Sequence, residues 1–147
     1  MKQAQTFKVA AITPPGAILD NTSATTKVVD TIGFDYAVVL VHLGATDIAM
    51  TALKLQHSDV KASDTALTSG VDITGADFSA ALPSDTADDG FYAIYVDLKG
   101  LGRYLDLVAT IGNGSAGTYF TACALLFEGS ITPSTAAARG LVAQLIA

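Results

Sequence analysis

Apolar, β-branched runs entered through glycine turns constrain this chain more than anything else in it. Two of them share one design: Gly33-Phe34-Asp35-Tyr36-Ala37-Val38-Val39-Leu40-Val41 and Gly102-Arg103-Tyr104-Leu105-Asp106-Leu107-Val108. Further runs of this kind lie between and after them, separated by Gly, Asp, Ser and Thr. Short alternating segments broken by turn formers predict an all-β fold of antiparallel strands packed as a sandwich. Acid usage points the same way. Thirteen of the fourteen acidic residues are Asp, which favours turns, and Glu128 is the only Glu, the acid that helix faces prefer.

At 147 residues, half of them apolar and only 15% charged, the chain suits one domain with a substantial core. The organisation read from the sequence is a single β-sandwich spanning 1–147. An N-terminal arm and first strand occupy 1–24, the sandwich core 25–130, and a C-terminal arm or short helix 131–147. Within it, residues 6–13 form a short first strand or an extended arm, and Pro14 and Pro15 end any ladder there, because proline removes ladder donors. Residues 26–31 form a second strand. Residues 36–43, apolar at both parities, predict a strand buried on both faces. The turn 44–47 then predicts a hairpin with a half-buried strand at 49–57. Residues 58–90 read as a long connection with one short strand or helical turn. Strands follow at 91–98, 103–111 and 119–127, joined by a turn at 99–102 and a glycine-rich hairpin loop at 112–117.

No residue set reads as a catalytic, cofactor or metal site. His42 and His57 are the only histidines, and the expected hairpin places them ~15 Å or more apart, too far to share an ion. Asp85, Asp88 and Asp89 match no EF-hand spacing and read as a solvated loop, as do Asp72 and Asp77. No serine sits in a Gly-x-Ser-x-Gly elbow. Cys123, the sole cysteine, lies among apolar neighbours and reads as a buried, inert core thiol made in a reducing cytoplasm. The loop Gly112-Asn113-Gly114-Ser115-Ala116-Gly117 superficially resembles a phosphate loop but lacks the Lys-[Ser/Thr] ending. Arg103 reads as a strand-edge ion pair with Asp97 or Asp106, or else as a contact between protomers. Tyr92, Tyr95, Tyr104 and Tyr119 read mostly as packing, with interface contact the alternative.

The formal net charge of −6 argues against a nucleic-acid partner, and no basic amphipathic stretch or long apolar segment suggests a membrane one. A small-residue-rich composition without Trp suits contact surfaces better than a deep aromatic pocket.

Three phrases resemble a family of small tailed-bacteriophage capsid decoration, or cement, proteins: Asp30-Thr31-Ile32-Gly33-Phe34-Asp35-Tyr36, Leu53-Lys54-Leu55-Gln56-His57-Ser58-Asp59 and Gly100-Leu101-Gly102-Arg103-Tyr104. The likeness spans roughly residues 25–130. It implies a jelly-roll-like antiparallel sandwich on the outside of a phage head, made in the host cytoplasm and clamping neighbouring capsomers. The partners it implies are the major capsid protein and further copies of the chain, a homotrimer before a dimer. It brings no catalytic residues and no cofactor. The alternatives are a head–tail or tail structural protein, and a carbohydrate-binding sandwich module.

Overall fold

The computed structural model describes residues 6–13 and 16–145. Among the described residues ten strands form in chain order: β1 (Lys8–Thr13), β2 (Val29–Asp30), β3 (Tyr36–Thr46), β4 (Met50–Ser58), β5 (Lys61–Ser63), β6 (Ala66–Leu67), β7 (Val71–Asp77), β8 (Phe91–Asp97), β9 (Tyr104–Ile111) and β10 (Thr118–Phe127). Two four-stranded antiparallel sheets result, ordered β1-β10-β3-β8 and β2-β9-β4-β7, with β5 and β6 as a small separate ribbon. This ordering is that of a jelly roll, in which successive strands cross between the sheets.

The inner faces follow the period of two. Along β3 the buried residues are Ala37, Val39, Val41 and Leu43; along β9 they are Leu105, Leu107, Ala109 and Ile111. Leu53 and Leu55 of β4 and Ala122, Ala124 and Leu126 of β10 close the layer between them. A bulge resets β4. Met50 lies opposite Ile111 and Ala52 opposite Thr110, so Met50 and Leu53 both point inward despite their odd spacing.

Several sequence expectations are corrected. The hairpin of 36–43 with 49–57 does not form: β3 pairs with β10 and β8, whereas β4 pairs with β9 and β7 in the other sheet. The turn 99–102 and the loop 112–117 are likewise crossovers between sheets. The physical reason is long-range: β3 has its ladder neighbours in β10 and β8 and β4 has its own in β9 and β7, so the turn between them carries the chain across the core from one sheet to the other. The strand 36–43 is therefore buried on one face only. The second strand shrinks to Val29–Asp30, and the 58–90 connection carries β5, β6 and the sheet-forming β7.

Neither terminal segment stands free as described. Residues 19–24 run beside β9 and β10: the Leu19 and Thr118 backbones exchange bonds, and the Ala24 N–H donates to the Ala109 carbonyl. Near the C-terminus a 3-10 turn at Ala137–Arg139 buries Arg139, and Gly140, at φ 73°, rests against the Val9 carbonyl. Residues 1–5, 14–15 and 146–147, including Pro14 and Pro15, lie outside the described residues.

Candidate interaction surface

The three phrases quoted above meet at one joint, where β2 ends, β4 ends and β9 begins. The Arg103 guanidinium donates Nε to Asp30 Oδ1 at 2.9 Å and Nη2 to Asp30 Oδ2 at 2.7 Å, a bidentate pair. Asp30 is thus the partner of Arg103, not Asp97 or Asp106. Asp106 instead accepts from the Thr26 hydroxyl at 2.7 Å. The Arg103 carbonyl accepts from the Thr31 hydroxyl at 2.6 Å, while the Arg103 N–H donates to Asp59 Oδ1 at 3.3 Å. His57 Nδ1 accepts the Gly102 N–H at 2.8 Å. Gly102 lies so close to the Ser58–Asp59 peptide that a Cβ has no room. Arg103 holds the Asp30 carboxyl below its ordinary value, against a smaller upward push from burial. These bonds tie β2, the end of β4 and the start of β9 to one another, so the joint acts as a frame.

The remaining candidate residues disperse. His42 is on the outer face of the β1-β10-β3-β8 sheet, stacked on Phe91 with centroids 4.1 Å apart, whereas His57 is in the opposite sheet. Asp72 accepts from Lys54 at 2.6 Å and from Gln56 at 2.7 Å; Asp77 caps the Ser79 N–H; Asp88 accepts the Thr46 N–H at 2.8 Å. No group of metal-ligating side chains gathers among the described residues. The 112–117 loop does cradle an anion, but an internal one. The Ser115, Ala116 and Gly117 N–H groups all donate to the Asp47 carboxylate at 2.6–2.8 Å and hold its pKa below the ordinary value. This nest was legible only as a weak phosphate-loop likeness, since its occupant lies far back in the sequence.

Two expectations about individual side chains change. Cys123 is not in the core: Ala122 and Ala124 take the inner positions, and Cys123 sits half-buried on the outer face, where desolvation raises its thiol pKa. Tyr92 packs edge-on against Phe78, as read, but Tyr95 is 77% exposed and its neighbour Phe91 72%. Tyr104 lies beneath Arg103 and Lys61, and Tyr119 is half-exposed.

These outward residues combine into the feature that individual motifs did not reveal. The outer face of the β1-β10-β3-β8 sheet presents Val9 and Ala11 from β1, Cys123, Leu125 and Phe127 from β10, Tyr36, Val38 and Leu40 from β3, and Phe91, Ala93 and Tyr95 from β8. Only Asp97, at the end of β8, brings a carboxylate to that face's strands. The outer face of the other sheet is the reverse, carrying Lys54, Gln56, Asp72, Asp106 and Thr110. The outer face of one sheet is mainly apolar and that of the other mainly polar. A shallow hollow of about 180 Å³, lined by Gly16, His42, Gly44, Tyr119, Phe120 and Thr121, opens on the apolar side. It lacks convergent charged groups, so it offers shape without an evident reaction.

No described helix is long and apolar enough to cross a membrane. Compared with known proteins, the chain matches no family model, no curated protein and no solved structure.

Proposed function

We propose that this protein is a structural adhesion module that decorates the outside of a phage head and stabilises contacts between capsomers. The observation that carries the reading is the asymmetry of the sandwich: an apolar, aromatic-bearing outer face on one sheet and a charged one on the other. Extended exposed apolar patches mark interaction surfaces. Transferring one such ring from water contributes about 1.5–3 kcal/mol before ordering costs, and many weakly held copies act together on a lattice. The charged sheet, within a chain of net charge −6, then faces solvent and keeps a crowded particle soluble. The resemblance of the three phrases to those of decoration proteins is in keeping with this reading, since they meet at the joint that frames the sandwich.

The deciding experiment is cryo-electron microscopy of particles from the phage that encodes the chain. The proposal expects density covering the shell with a copy number that scales with shell area. Copies confined to the tail vertex support the head–tail or tail alternative, and absence from the particle overturns the virion role. One observation favours a different reading: Phe91, Tyr95 and Tyr119 are exposed aromatic rings on one sheet face, and such rings can stack on sugars. A glycan array tests this second reading: selective binding that Phe91→Ala or Tyr95→Ala abolishes supports it, and no selective binding removes it.

A further inference from the structure

The four outer edges of the two sheets are not treated alike. At the β1 edge, the Ile12 carbonyl accepts the Lys27 N–H, and Gly140 closes over Val9. The β2 edge is two residues long and is continued by segment 19–24 bonded along β9. The β7 edge is blunted by a register shift, by Gly75 at φ 82°, and by Asp72 and Asp77. These are the usual defences of a sheet edge. Strand β8 has of these only a single acid, Asp97 at its end. It reads Phe-Tyr-Ala-Ile-Tyr-Val-Asp, with no proline, no lysine and no bulge against β3.

The direction of its free groups follows from the ladder. The Leu43 N–H donates to the Gly90 carbonyl and the Leu98 N–H to the Asp35 carbonyl. Antiparallel alternation then turns the backbone of Tyr92, Ile94 and Val96 toward β3, and that of Phe91, Ala93, Tyr95 and Asp97 outward. No described residue bonds to those outward groups. Grooves of about 510 and 320 Å³ between β7 and β8 leave that side open.

We infer that β8 pairs antiparallel with β8 of a second copy about a two-fold axis at Ile94, joining the two apolar sheets into one continuous eight-stranded wall. The register is self-complementary. Phe91 faces Asp97 of the other copy, and Ala93 faces Tyr95, so all the free groups pair in roughly eight backbone bonds. Each Tyr95 ring lies over an alanine and reaches its symmetry mate diagonally, ~7–8 Å away. The two Asp97 carboxylates stay ~20 Å apart, which matters for two acidic molecules. The four Phe91 and Tyr95 rings supply on the order of 600 Å², about half of the ~1,200 Å² that a specific interface needs; the paired backbone and its flanks supply the rest. The closed pairing is isologous and gives a dimer, not the trimer expected from sequence. The inference rests on the adhesive reading of this sheet and doubles its contact surface.

The test is sedimentation equilibrium of the purified chain with residue-resolved hydrogen exchange. The expected species has twice the 15.0 kDa chain mass, with slowed exchange at the Phe91, Ala93, Tyr95 and Asp97 amides at high concentration. Ala93→Pro removes an outward N–H without touching the β3 ladder and is expected to weaken association at least tenfold. Tyr95→Lys places a charge on the edge and does the same without altering the backbone, so the test survives if the proline variant fails to fold. A wild-type monomer at high concentration, a trimer, association with those amides unprotected, or variants that associate as well as wild type each overturns the pairing. Particle decoration reads out separately: a monomer that still coats heads removes only the dimer, and a dimer absent from particles removes only the decoration role.

Discussion

Replacing Gly102 with alanine tests the joint where β2, β4 and β9 meet. The Gly102 backbone does not need a left-handed φ; its constraint is space. A Cβ there falls against the Ser58 carbonyl carbon and lies 2.7 Å from the Asp59 nitrogen, and both are backbone atoms that cannot rotate away. Separating the β4 end from the β9 start also stretches the Gly102 N–H bond to His57. Overpacking costs ~1–3 kcal/mol and the lost bond ~1 kcal/mol, so Gly102→Ala is expected to destabilise the fold by about 2–4 kcal/mol. In urea, with m near ~1.5 kcal/mol/M, the midpoint falls by roughly 2 M at unchanged m. Gly100→Ala is the matched control. Nothing lies within 4 Å of its Cβ, and only its φ of +79° opposes a side chain, at about 1 kcal/mol. If Gly102→Ala unfolds within ~0.5 kcal/mol of wild type, or costs no more than Gly100→Ala, the close approach at the joint is not what holds it.

Other expectations follow from the same structure. Asp47 has a lowered folded pKa because three loop N–H groups bind its carboxylate, so its contribution is fully present above the unfolded carboxyl pKa and is lost as pH falls through the folded one. Asp47→Asn is therefore less stable than wild type at neutral pH, and the gap closes in acid below the ordinary value of 3.8; a gap independent of pH contradicts the nest. Leu126→Ala, at a fully buried position between the sheets, is expected to cost about 2.5–5 kcal/mol by denaturant titration. The Cys123 thiol, outward and half-buried with a raised pKa, is expected to react with a disulfide reagent in the native protein, slowly at neutral pH and faster as pH rises. Reaction only upon unfolding returns it to the core.

The alternation of individual strands was legible, and their partnership was not. In the 103–111 strand, Leu105, Leu107, Ala109 and Ile111 read as the inward set and are the buried ones, because side-chain direction is a local property with period two. Whether the 44–49 turn returns a strand beside its predecessor or beneath it depends on partners far along the chain. Strand β3 takes β10 as neighbour, and that contact is invisible from either segment alone. The Asp30–Arg103 pair was missed for the same reason, since β2 must lie beside β9 before the two side chains meet. Cys123 was misplaced although parity with Ala122 and Ala124 points it outward; an outer face as apolar as the inner one hides the alternation. The candidate surface is hidden in the same way, since its residues read as core.

The central claim is that the apolar outer face of the β1-β10-β3-β8 sheet is the working surface of the protein. Oxidative footprinting of Phe91, Tyr95 and Tyr119, on the free chain and on intact particles, tests it most directly. The account predicts that these rings oxidise readily in the free protein and are protected on the particle, while the charged face opposite stays accessible. Equal reactivity in both states, or protection confined to the Lys54–Asp72 face, contradicts it.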